Sequence, residues 1–113
     1  MEYKNETLTS LADTLEIDEE MLKEILILFF ENMPGQIATM RKHVPKHEFP
    51  AIHVISHTLK GTAANLRYAD ISQTAGEVEA LALGEQGFIE EYESLFNKLS
   101  LQLAHAKMQI FYK

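Results

Sequence analysis

Large apolar residues recur along this chain at helical rather than strand spacing. Leu8, Leu11 and Leu15 share one face of a short segment from Thr7 to Leu15. Asp18 is a suitable N-cap for the next segment, in which Leu22, Ile25, Leu26, Phe29 and Met33 form one stripe. Pro34-Gly35 predicts a kink or break there, because proline cannot donate to the carbonyl of Phe30. The pattern resumes with Ile37, Met40, Arg41 and Val44 and stops near Pro45. Pro50 suits the first turn of a new helix, whose stripe is Ile52, Ile55, Leu59, Ala63 and Leu66. Asp70 with Gln73 resembles a capping box, followed by Ile71, Ala75, Val78 and Leu81, with Gly84 as the stop. After a turn at Gln86-Gly87, a long helix runs to Phe111 with Tyr92, Phe96, Leu99, Leu103, Ala106 and Ile110 as its seam.

No segment competes with strand periodicity. Four long amphipathic helices joined by short loops predict an all-α fold, an antiparallel four-helix bundle with a short N-terminal capping helix. The 113 residues suit a single domain over residues 1–113, with no internal repeat or linker.

Composition narrows the function. The chain has 10 Lys and Arg against 17 Asp and Glu, a net charge of −7, which disfavours nonspecific nucleic-acid binding. It has no Cys, so disulfides, thiolate metal sites and Cys nucleophiles are excluded. The longest strongly apolar stretch, residues 25–30, is far shorter than the roughly 20 residues that span a bilayer. The start, Met1-Glu2-Tyr3-Lys4, lacks a signal peptide's basic and apolar regions. A cytoplasmic protein, not bound to membrane or nucleic acid, is expected. Starting at Met1 and ending without a linker favours a free-standing protein.

The charge is unevenly distributed. Residues 1–32 hold nine acids and two bases, residues 68–113 seven acids and three bases. Residues 33–67 hold only Glu48 against Arg41, Lys42, Lys46, Lys60 and Arg67, with four of the five His. An acidic frame surrounds a basic centre, able to steer an acidic partner.

Within that centre, His57 lies roughly opposite the apolar stripe of its helix. Its neighbours at i−4, i+3, i+4 and i+7 are His53, Lys60, Gly61 and Ala64. Small residues leave the imidazole uncovered, and Gly61 costs a helix interior about 1 kcal/mol relative to Ala. Two readings fit. His57 is an ordinary surface histidine beside a tolerated glycine, or it is an accessible nitrogen nucleophile with Lys60 placed to hold a phosphoryl group. Other constellations are weaker. His53 and His57 alone do not make a metal site, and neither a Glu-x-x-His motif nor a Ser-His-Asp set can be read here. The methionines read as core filler, Phe29-Phe30 as core plus a partly exposed contact, and Glu90-Glu91-Tyr92-Glu93 as a solvated first turn.

The run His57-Thr58-Leu59-Lys60-Gly61-Thr62-Ala63-Ala64-Asn65-Leu66 resembles the signature of histidine-containing phosphotransfer (HPt) domains of two-component phosphorelays. The resemblance extends from about Leu8 to the last helix. It implies that His57 is phosphorylated, that Lys60 assists and that Gly61 gives access. It also implies a polar residue near the imidazole on the following helix, at Glu79, whose carboxylate would accept from the other ring nitrogen. A merely solvated Glu79 is the alternative. Many members carry Gly after Asn-Leu, where this chain has Arg67 and Tyr68. The expected partners are response-regulator receiver domains, and a hybrid sensor histidine kinase is a further candidate. They would contact His53, Val54, Gly61 and Ala64. The cofactor expectation is none, with Mg²⁺ supplied by the receiver, and no metal site. The chain has no Gly-rich nucleotide loop, so no autokinase activity is expected, and the default state is a monomer. The competing function is a non-catalytic helical adaptor that binds receivers; a metal-binding bundle is the third.

Overall fold

Helices account for every regular element of the structure, a computed structural model that describes residues 3–111. The termini of the chain, including Met1 and Glu2, lie outside the described residues. The helices are α1 (Tyr3–Leu15), α2 (Glu19–His43), α3 (Phe49–Asn65), α4 (Ala69–Leu83) and α5 (Ile89–Phe111). No strand occurs among the described residues, as the apolar spacing predicts. The first helix begins at Tyr3, earlier than the expected Thr7.

Each of α2, α3, α4 and α5 touches the next, and α5 returns to α2, so the four close into a ring. α1 lies against α2 and α5. The buried apolar side chains of all five helices form one cluster. Its largest fully buried members include Tyr92, Phe96, Leu22, Leu26, Met40, Ile52, Leu59, Ile71 and Leu99. All six seam residues expected on α5 are buried. No helix among the described residues is long and apolar enough to cross a membrane.

Several local expectations need correction. Pro34 does not break α2, which continues to His43. Buried residues on both sides of it, Leu22 to Met33 and Ile37 to Met40, enter the same core, and this packing outweighs a local cost of about 3 kcal/mol. Ile25 is exposed rather than part of the core, while Phe29 and Phe30 are both buried. Phe29 stacks on Tyr68 and Phe30 meets Phe111 edge-on. Asp18 does cap α2, accepting from the Met21 amide at 3.2 Å. Asp70 and Gln73 form no capping box: the N-cap of α4 is Tyr68, with no side-chain cap. Asp70 accepts instead from the adjacent Ile71 amide at 2.8 Å.

The ends of α3 and α4 share one device. After α3, the Arg67 amide bonds to the Ala64 carbonyl and the Tyr68 amide to the Ala63 carbonyl, with Arg67 left-handed at φ 69°. After α4, Glu85 bonds to Ala82 and Gln86 to Leu81, with Glu85 at φ 53°. The left-handed residue is therefore Glu85, and Gly84 keeps an ordinary φ of −81°. A glycine is required further on. Gly87 has φ 100°, and a Cβ there would lie 2.8 Å from the Tyr92 ring, whose hydroxyl donates to the Gln86 carbonyl.

Candidate functional site

The tight pairing of α3 with α4 builds the site. Ile52, Leu59 and Ala63 turn one face of α3 into the core, and Ser56 is buried with them. Ser56 is tolerated there because its hydroxyl donates to the Ile52 carbonyl at 2.7 Å within the helix. His57, one position on, points away from the core.

Glu79 of α4 gathers the polar groups of that outer face. His57 Nδ1 lies 2.6 Å from Glu79 Oε2, and Lys60 Nζ lies 2.7 Å from Oε1. His53 Nε2 is 3.4 Å from the same Oε2, and its ring stacks on that of His57 with centroids 6.0 Å apart. The Glu79 side chain is only 12% exposed, whereas that of His57 is 64% exposed. The Lys60 ammonium, followed by the His57 hydrogen bond, holds the Glu79 carboxyl below the usual carboxylate range against the opposing effect of burial.

This geometry decides the state of the imidazole. An ionised carboxylate only accepts hydrogen bonds, so Nδ1 carries the hydrogen and donates to Glu79. In the neutral ring the lone pair then sits on Nε2. A carboxylate on Nδ1–H raises the electron density of that ring, and the exposed Nε2 becomes the nucleophilic atom.

The surroundings leave room for a partner. Val54, Gly61 and Ala64 are exposed on the same side of α3 as His57, and His53 is half-buried at its edge. A Cβ added to Gly61 would meet nothing within 4 Å, so no contact among the described residues accounts for this glycine. Beside the site, Ile25, Leu28 and Asn32 of α2 and Thr58 and Thr62 of α3 line a groove of about 410 Å³.

Two of the five cations of the expected basic centre, Arg41 and Lys60, are paired with carboxylates. Arg41 is turned towards α5, where it pairs with Glu93 at 2.9 Å and lies over the Phe96 ring. His43 pairs with Glu48 at 2.7 Å, which draws the Glu48 carboxyl below its ordinary range. Lys60 itself rests on Glu79 instead of standing free beside the imidazole. No group of three or more His, Asp or Glu that could hold a metal ion occurs among the described residues.

Two residues of α4 at this site escaped the sequence reading. Ser72 Oγ donates to the Lys60 carbonyl at 2.9 Å. Gly76 lies under the Lys60 side chain, and a Cβ there would come 3.3 Å from Lys60 Cδ. The available signal was the one used for Gly61, a glycine inside a helical pattern.

The family model described as Hpt domain matches residues 24–109, from α2 through the site to α5. The chain belongs to the Hpt domain family. No curated protein and no solved structure matches it significantly. Hpt domains act in phosphotransfer within phosphorelays and generally work with the receiver domains of two-component systems. The run that resembles their signature occupies the second half of α3 of this Hpt domain and ends on its C-cap, Leu66, with His57 on the exposed side.

Proposed function

We propose that this chain is a phosphorelay intermediate that accepts a phosphoryl group on His57 from one receiver aspartate and passes it to another. The observation that carries the reading is the hydrogen bond from His57 Nδ1 to Glu79, combined with the exposure of the ring. The Nε2 lone pair attacks the phosphorus of the aspartyl phosphate. The N–P bond forms as the P–O bond to the aspartate breaks, and that electron pair returns to the receiver carboxylate. No proton leaves the ring: Nδ1–H stays on Glu79, which offsets the positive charge that develops on the imidazole. The second transfer reverses these bonds.

The remaining site residues take supporting parts. Lys60 is a compact cation one helical turn from His57, suited to the transferring phosphoryl oxygens. Gly61 gives in-line access, and His53, Val54 and Ala64 meet the receiver. The receiver contributes its own acidic pocket and Mg²⁺ ion. The ring of α2–α5 is read as an antiparallel four-helix bundle with α1 as its cap, and residues 1–113 as one domain. The protein acts as a cytoplasmic monomer, since its single site must stay open to successive partners.

The test is transfer from a radiolabelled, phosphorylated receiver to this chain and to its His57→Gln variant. The wild type is expected to acquire an acid-labile, base-stable label and to return it to a second receiver. A labelled His57→Gln protein would overturn the assignment, and an unlabelled wild type, tried against every receiver of the source organism, would overturn the function.

A further inference from the structure

Lys60 crosses α4 and meets it at three places. Its backbone carbonyl accepts from Ser72 Oγ at 2.9 Å. Its Cδ passes over Gly76, where an added Cβ would lie 3.3 Å away. Its ammonium reaches Glu79 Oε1 at 2.7 Å. Ser72, Gly76 and Glu79 stand at i, i+4 and i+7, one line along a helix face.

We propose that Ser72, Gly76 and Glu79 form a track for Lys60 that holds its ammonium on Glu79 and so sets the Glu79–His57 hydrogen bond, with Gly76 as the positioning residue that lets the stem lie flat. The positioning of His57 rests on the reading of that residue as the phosphoryl acceptor; the track itself does not. A lysine stem is flexible and loses much rotamer freedom when held at one point. Here both ends are held, so the few tenths of an ångström by which Cδ must give to a new Cβ is taken up against the bond from the ammonium to Oε1. A glycine inside α4 costs about 1 kcal/mol relative to alanine. At Gly61 the space beyond Cα is open, but at Gly76 a side chain of the same protein fills it. The cost at Gly76 therefore has an internal cause.

The deciding variant is Gly76→Ala, read by NMR titration of the Glu79 carboxyl carbon. The groups that face Glu79 are Lys60, His57 and His53, all from α3. With the ammonium displaced, the Glu79 midpoint is expected to rise by about half a pH unit towards the ordinary carboxylate value. In a Lys60→Met background the same Gly76→Ala change should move it no further. Transfer from phosphorylated receiver to Gly76→Ala should slow by about threefold or more. Thermal unfolding should be unchanged or raised, because alanine is the better helix former. A Glu79 titration that is the same in Gly76→Ala and wild type overturns the track, as does a shift that persists without Lys60. A shifted titration with an unchanged transfer rate overturns the positioning of His57. Failure of the wild type to take up phosphate would strike the proposed function and leave the titration result standing.

Discussion

His57 and Glu79 stand 22 positions apart in the chain and one hydrogen bond apart in space, at 2.6 Å. The carboxylate has two oxygens and uses both. Oε2 receives the imidazole and Oε1 receives the Lys60 ammonium. The cation helps to hold the carboxyl below its ordinary range, the carboxylate keeps the hydrogen on Nδ1, and Nε2 is left to react. A chain of three side chains links a cation on one turn of α3 to the ring on the preceding turn.

The lowered Glu79 pKa gives stability a defined pH dependence. A depressed carboxyl contributes stability that is present above its unfolded value, near 4.5, and is lost as pH falls through the folded value. Glu79→Gln should therefore cost about 0.5–1 kcal/mol at pH 7, a modest figure because Lys60 is partly solvated. The difference should begin to shrink near pH 4.5 and vanish once the native carboxyl is protonated. Urea denaturation of both proteins between pH 3 and 7 measures it. A gap that stays constant over that range would show that Glu79 stabilises by packing alone.

Gly61 is expected to separate stability from transfer. Alanine there meets nothing among the described residues and relieves the helix of a glycine, so Gly61→Ala should stabilise by about 0.5–1 kcal/mol. The same methyl would stand on the face that a receiver approaches, and phosphotransfer should slow. Denaturation midpoints and single-turnover transfer rates, taken on one preparation, check the opposite signs. A variant that is both more stable and equally fast would leave the glycine without a role in access.

The parts of this structure that sequence reading reaches are those governed by a period within one helix. The α5 seam is legible because six core-forming residues, five of them large, fall every three or four positions and no charged group interrupts them. Ser56 and Thr74 are buried yet invisible to that rule, since each hydroxyl is satisfied by the carbonyl four residues back. The outward placement of His57 follows from its position opposite the stripe. Its pairing with Glu79 does not, because contact between helices depends on their separation and rotation, and only the family resemblance pointed to that carboxylate. Gly76 went unread for the same reason: its partner, Lys60, belongs to another helix.

Pro34 marks where local rules yield to packing. It is exposed inside a helix that continues for a further nine residues to His43, and it removes one backbone bond. Pro34→Ala restores that bond without touching a buried side chain. A helix-interior proline is about 3 kcal/mol worse than alanine, partly offset by the stiffer unfolded chain, so a gain of about 2 kcal/mol is expected. Chemical denaturation measures the change. No gain would mean that α2 is bent at Pro34 in a way that the core requires.

The end of α4 distinguishes two assignments of one glycine. Had Gly84 been the left-handed terminator, Gly84→Ala would force a Cβ into that region at about 1–2 kcal/mol. Its φ is −81°, and a new Cβ would come nearest the side chain of Gln86, at 3.2 Å, which is exposed and able to give way. Gly84→Ala should therefore change stability by less than about 0.5 kcal/mol. Glu85 is the residue at positive φ, and it is exposed with no side-chain contact to lose in the capping bonds. Glu85→Gly removes the left-handed strain but loosens the unfolded chain, leaving a net gain of about 0.5–1 kcal/mol and a rise of about 2–4 °C in Tm. Differential scanning calorimetry of the two single variants is sufficient. The reverse ranking, a costly Gly84→Ala with a neutral Glu85→Gly, would place the left-handed residue one position earlier and remove the shared ending of α3 and α4.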